Sequence, residues 1–294
     1  MARVLELIED VLAQVESANW AAAAVAVALH IANVVVRAHA WRNIVAAAYP
    51  AQRVRKRKIF LAYAAGAGVN AVSPWRGGEL LRLSLARRSV STSTYSGLAS
   101  TVAAESVFNL FAAGALLAWA ITRGAIPAPR VGVPLEILVG TAVLILVGIC
   151  LGCGNRLRKP FVTGFRVFRD PVAYVRRVAA WQALDWMLRL ATIYAFMAAF
   201  GIGGGLEAVL LIQGAQSASA LLPLAPARIG TKQAVLVYVF GSQLSTVSLV
   251  AFVAGSELLL AGTNAALGAG ALMASVGTVR WRAGLVPIVA PVER

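Results

Sequence analysis

Two arginines in matching contexts are the residues best suited to chemistry. Arg76 lies in Ser73-Pro74-Trp75-Arg76-Gly77-Gly78 and Arg228 in Pro226-Ala227-Arg228-Ile229-Gly230, each interrupting an otherwise apolar stretch. Proline and glycine break a helix, so each arginine should stand at the start of a new half-helix. Free backbone N–H groups and the helix dipole favour an anion at such a place, and a guanidinium adds a two-pronged match to phosphate. The chemistry this predicts is recognition of an anionic group. Glu79 and Arg82 follow Arg76 and stand at i, i+3, where they can pair with each other or join the site. Lys232 and Gln233 follow Arg228 and are expected to line a cavity at the second break.

Acids are scarce in the apolar runs, which makes Glu105 and Glu257 conspicuous. A carboxylate inside a bundle is either protonated or paired with a cation, and an arginine of the facing break, Arg76 or Arg228, is the expected partner. Asp185 and Arg189 are one helical turn apart and should neutralise each other as a structural ion pair. No metal or other cofactor is expected. The cysteines are Cys150 and Cys153 and the histidines His30 and His39, all in apolar settings, too few to close a zinc site. Catalysis lacks a signal as well, since neither histidine belongs to a motif that would make it a nucleophile or base beside the arginines.

These residues must be positioned by helices in lipid. Hydrophobic residues make up 60% of the chain and charged residues 13%, against about a quarter charged in a soluble domain. Mean hydropathy is +0.76. Apolar blocks such as Trp20–Val36 are long enough to cross hydrocarbon as helices, and the short alternating segments of a β-barrel are missing. Spans are predicted at about 18–37, 95–121, 132–152, 181–200 and 245–273. Residues 1–17 carry Glu6, Glu9, Asp10 and Glu16, the wrong charge for a signal peptide, and read as an interfacial amphipathic helix. Trp20, Trp41, Trp119, Trp181 and Trp281 fall near span ends and read as interfacial anchors.

Charge sets the topology. The formal net charge is +15, and the loops 37–58 and 153–180 each carry seven Lys/Arg, with Asp170 the one acid between them. No groove-reading motif accompanies this charge, so nucleic acid is not the expected partner. Both loops should face the cytoplasm and its anionic lipid, which places the chain in a cytoplasmic membrane. That holds only if 59–88 enters and leaves the bilayer on one side as a re-entrant hairpin. The stretch 206–241 is broken in the same way and reads as a second hairpin.

An ungapped offset of 152 places Asn33 on Asp185, Arg37 on Arg189, Pro74 on Pro226, Arg76 on Arg228, Gly78 on Gly230 and Glu105 on Glu257. The chain then divides into a first membrane repeat at 18–121, a linking span at 132–152, the basic loop 153–180, a second repeat at 181–276 and a tail from 277. One intervening crossing inverts the second repeat relative to the first. The fold class expected is an all-α integral membrane protein, an inverted repeat of transmembrane helices with two re-entrant hairpins.

At this point the residues resemble a family. Asn70-Ala71-Val72-Ser73-Pro74-Trp75-Arg76-Gly77-Gly78-Glu79-Leu80-Leu81-Arg82 is similar to a motif of the lysylphosphatidylglycerol synthase transmembrane-domain family, also called flippase-like membrane proteins. Leu222-Pro223-Leu224-Ala225-Pro226-Ala227-Arg228-Ile229-Gly230-Thr231-Lys232-Gln233 resembles its second motif, and Ala104-Glu105 with Asn109 its intermediate segment. Arg228 stands where the family often has Gly, Gln233 where it often has Glu and Asn109 where Asp is frequent. The chain ends soon after its last span, so the resemblance implies the transport half of such proteins without the soluble synthase domain. It implies movement of a lipid with an anionic, aminoacylated or polyprenyl-phosphate headgroup between leaflets. The alternative is a membrane enzyme, or an accessory subunit acting with a glycosyltransferase on a lipid-linked substrate. Among protein partners, a second copy of the chain and a glycosyltransferase are the candidates.

Overall fold

A computed structural model of the chain describes residues 9–11, 13–73, 77–123, 162–221 and 245–276. Every regular element among the described residues is helical. They are α1 Trp20–Ala48, α2 Lys56–Val72, α3 Gly77–Ser89, α4 Tyr95–Thr122, α5 Ala180–Ala199, α6 Leu206–Leu221 and α7 Thr246–Val276. Before α5 the chain makes a 3-10 turn at Phe165–Arg169, one α-helical turn at Pro171–Tyr174 and a π turn at Val175–Ala179. The expected linking span 132–152 and the tail from 277 lie outside the described residues.

Local chemistry explains the boundaries. Asn19 caps α1, its Oδ1 accepting from the N–H groups of Ala21 and Ala22 at 3.1 Å each. Thr94 caps α4 through Gly97 N–H at 3.1 Å. Asp170 accepts from Ala173 N–H at 3.0 Å with Pro171 just inside the turn. α2 stops at Val72, with Ser73 extended immediately before Pro74, as the residue preceding a proline prefers. α5 ends on Gly201, whose φ of 65° places it in the left-handed conformation that lets the chain turn back.

The helices share two ends. At the first, Ser91 Oγ donates to Gln52 Oε1 at 3.5 Å, and Gly97 packs so tightly on the Tyr49 hydroxyl that a Cβ there would collide with it. The α2–α3 hairpin therefore begins and finishes at one end of the bundle. Asn43 Nδ2 donates to Arg177 O at 2.6 Å, which brings the two basic loops to that same end. At the other end Asn19 N–H donates to Ala199 O at 2.8 Å, Arg123 lies 3.9 Å from Glu207, and Phe200 meets Phe252 edge to face. α1 packs along α5, α2 along both α3 and α7, and α4 along α6. Gly68 and Gly268 meet where α2 crosses α7: a Cβ on either would stand 2.5 Å from the other's Cα. Such close approach is how small residues bring helices together where no water drives them.

One finding revises an expected boundary. The first span does not stop at residue 37. α1 runs on to Ala48, so Arg37 and Arg42 are helical and the loop shrinks to residues 49–55. A charge does not end a helix when a cavity and partners receive it; Tyr49-Pro50 does. α7 is unbroken through Gly262. Of the expected N-terminal helix, residues 9–11 and 13–16 are described and helical, with Glu9, Asp10 and Glu16 exposed and Val11 and Val15 against the core.

The distribution of polarity departs from a soluble protein's, with charges inside and large apolar side chains outside. Asn33, Arg82, Glu105, Gln182 and Asp185 are buried, while Phe111, Met187, Leu258 and Met273 are exposed. Water would penalise that outer surface, whereas hydrocarbon accepts it. Three helices, Trp20–Ala48, Tyr95–Thr122 and Val247–Ser275, are long and apolar enough to cross a membrane.

Candidate functional site

The pairing of α2 with α3 and the long reach of α1 together build a polar cavity inside the bundle. It holds about 300 Å³ and is lined by α1 (His30, Asn33, Arg37), α2 (Tyr63, Gly66, Asn70), α3 (Glu79, Arg82) and α7 (Asn264). Asn70 Oδ1 accepts from Gly78 N–H at 3.0 Å, fastening the start of α3 to the end of α2. Gly66 lets α3 lie close, since a Cβ there would meet Gly78 O at 2.7 Å and Arg82 Cβ at 2.9 Å. His30 Nε2 and Asn264 Oδ1 are 3.0 Å apart and tie α1 to α7 across the cavity.

Arg82 is the best-held charge in this wall. Its guanidinium lies 3.8 Å above the Trp41 ring and 4.3 Å from that of Tyr63, between two aromatic faces. Nη2 reaches Glu105 Oε2 at 2.6 Å, with both side chains buried, and Nη1 is 3.5 Å from Glu79. Glu105 is braced by its backbone, whose carbonyl accepts from Gln182 at 2.9 Å and from Asn109 at 3.3 Å. The expected Glu79–Arg82 pairing is present. The expected pairing of Glu105 with Arg76 or Arg228 is corrected: Arg82 holds it. α3 packs against α4, which brings Arg82 to Glu105.

Asp185 anchors a second network. Arg189 binds it with both prongs, at 3.1 and 2.8 Å, as the i, i+4 spacing predicts. Asn33 Nδ2 donates to the carboxylate Oδ1 and to the Asp185 carbonyl at 2.9 Å. Arg37 stands 4.0 Å away, too far for a hydrogen bond, and its Nε is buried without a partner. The Arg37 side chain keeps 36% of its surface accessible and faces the cavity. The carboxylate that would neutralise Arg37 is already taken by Arg189.

Other assignments resolve differently. Trp41 is fully buried, donating to Thr101 Oγ1 at 3.0 Å under Arg82, and is no interfacial anchor. It sits well inside α1 rather than beyond its end. Trp181 stacks on His39 at 4.2 Å between ring centres. Glu257 is half-buried on α7. Arg76, Arg228, Lys232 and Gln233 lie outside the described residues. Among the described residues no cluster of His, Cys, Asp and Glu could hold a metal. Sequence reasoning missed Arg37, Asn33, Tyr63 and Asn264 as cavity residues. The signal for Arg37 was its alignment with Arg189 at the offset of 152. At the basic end, outside the spans, burial pushes the Tyr49 phenol above its usual range, opposed by hydrogen bonds from Thr94.

The family model for the lysylphosphatidylglycerol synthase TM region matches residues 4–268. The chain belongs to that family. As a member of the lysylphosphatidylglycerol synthase TM-region family it is a multi-pass membrane protein, in keeping with its apolar exterior and three spanning-length helices. The match takes in α1 to α6 and most of α7, so the cavity lies wholly within the family region. No curated protein and no solved structure matches the chain.

Proposed function

We propose that this protein binds the anionic headgroup of a membrane lipid in the cavity between α1, α2, α3 and α7 and carries it between leaflets. The observation that carries the reading is Arg37: a guanidinium at mid-bundle, facing a polar cavity, whose nearest carboxylate is already bound by Arg189. In a low-dielectric interior such a cation attracts a phosphate far more than it would in water. Arg76 and Arg228 at the two breaks are proposed as further anion ligands. Glu79, with 45% of its side chain accessible in the same cavity, offers an amine its counter-charge. An aminoacylated phospholipid, a plain anionic phospholipid or a polyprenyl-phosphate carrier all fit that chemistry. The reading is of transport rather than catalysis.

The architecture proposed to move the headgroup is an inverted repeat. Two observations support it. Asn33 and Asp185, equivalent at the offset of 152, touch each other, as residues beside a two-fold axis do. α1 and α5, the equivalent first helices, also run in opposite directions between the two ends. The basic end is proposed to face the cytoplasm, with the N-terminus outside.

Replacing Arg37 with Gln tests the reading, since Asp185 keeps Arg189 and Asn33 and the fold should survive. Loss of a charged hydrogen bond worth about 1.5–3 kcal/mol should weaken anionic-lipid binding roughly ten- to a hundredfold. Lysine should rescue only in part because it cannot form the fork. The measurements are native mass spectrometry of bound lipid and leaflet-to-leaflet transfer of a fluorescent anionic phospholipid in vesicles. Normal binding and transfer by Arg37→Gln would sink the proposal.

A further inference from the structure

At the basic end a second opening lies between α2, α3 and the last turn of α7. This groove holds about 370 Å³ and is lined by Arg55, Arg57 and Lys58 at the start of α2, Arg88 at the end of α3, and the leucines Leu61 and Leu85 below them. Among the described residues no acidic side chain lines it. Its size is within the range of ligand pockets. Arg55, Arg57, Lys58 and Arg88 are all exposed, and Leu61 and Leu85 are half-buried. The N-cap of α2 is Arg55, which makes no side-chain capping bond, so the first-turn N–H groups add to the same positive field.

The groove and the central cavity are separate. Between them Ala64 and Ala65 of α2 pack on Ala271 of α7, with Phe60, Leu81 and Leu272 closing round the contact. The same three helices line both spaces, the groove at their basic ends and the cavity further in.

We infer that the groove is a second lipid site, which holds the phosphate of an anionic phospholipid from the leaflet at the basic end. The layering carries the inference. Cations surround the mouth and leucines form the floor, so a phosphate can sit at the top with glycerol and the first acyl carbons below. A solvated basic loop would need no apolar floor, and a free phosphate would gain nothing from one. The assignment uses the membrane orientation proposed above but not the cavity or its cargo.

The test uses the full chain in nanodiscs of phosphatidylcholine containing a limited fraction of phosphatidylglycerol, with bound lipid counted by native mass spectrometry. The variant Arg55→Gln/Arg57→Gln/Lys58→Gln changes exposed side chains and should fold normally. A juxtamembrane cation contributes about 1 kcal/mol, so each neutralisation should weaken phosphatidylglycerol binding about fivefold and the triple change about a hundredfold. One bound phosphatidylglycerol should be lost from the triple variant but retained by Arg37→Gln, which separates failure at the groove from failure at the cavity. In a second arm millimolar inorganic phosphate is added. Retention of the lipid supports the inference, and displacement of it would reassign the groove to free phosphate. Equal phosphatidylglycerol binding by wild type and the triple variant would overturn the proposal, as would equal retention of phosphatidylcholine at the same site.

Discussion

Arg82 illustrates how a charge is kept inside the bundle: two aromatic faces, one short ion pair and one long one surround it. Removing one partner of such a pair leaves the other buried and uncompensated, at a cost of about 3–5 kcal/mol. Arg82→Ala and Glu105→Ala should each lower thermal stability sharply, and the double variant should recover part of the loss. The cycle, read from melting in detergent, should give a coupling of about 1–3 kcal/mol. Additive losses would mean that the pair is not the contact that matters. Arg37 contrasts with it. The two arginines share Tyr63, which lies 5.6 Å from the Arg37 guanidinium, but only Arg82 has a carboxylate to itself. From sequence alone Arg82 was a candidate beside Arg76 and Arg37 was not, because pairing depends on which helix lies against which.

At the scale of elements, the α2–α7 crossing decides whether the cavity exists. Gly68 and Gly268 are in contact there, and Asn264 of α7 reaches the cavity one turn away. A leucine at Gly268 must push the helices apart, at about 1–3 kcal/mol for overpacking. Gly262 and Gly270 of the same helix have nothing within 4 Å of an added Cβ. Gly262→Leu should therefore change stability by no more than about 0.5 kcal/mol. Melting curves for Gly268→Leu and Gly262→Leu that coincide would show that the crossing is not tight in the membrane. The end of α2 before Pro74 and the starts of α1 and α4 could be read from residue types. The length of α1 could not. Arg37 looks like the first residue of a basic loop until its contacts with Asp185 and the cavity are seen.

For the whole molecule, the prediction concerns sides. Once Cys150 and Cys153 are replaced by serine, single cysteines at exposed Ala51 and Val172 should react with an impermeant reagent from one face only. Exposed Gly203 and Ser245 should react from the other. Opposite labelling of Ala51→Cys and Val172→Cys would break the shared end that Asn43 and Arg177 describe. The sequence by itself determined the class: apolar blocks of spanning length, scarce charge and two basic loops leave helices in a bilayer as the arrangement that satisfies the backbone. It also led to the expectation that 59–88 turns back, because proline and glycine act locally and the charge balance of the loops admits one parity of crossings. Tertiary structure alone decided the partnerships: that Glu105 meets Arg82, that Trp41 is a buried platform, and that Arg37 faces a cavity with its carboxylate already taken. Pairing energies depend on distance across helices, and residues 23 to 152 positions apart meet only when packing puts them there.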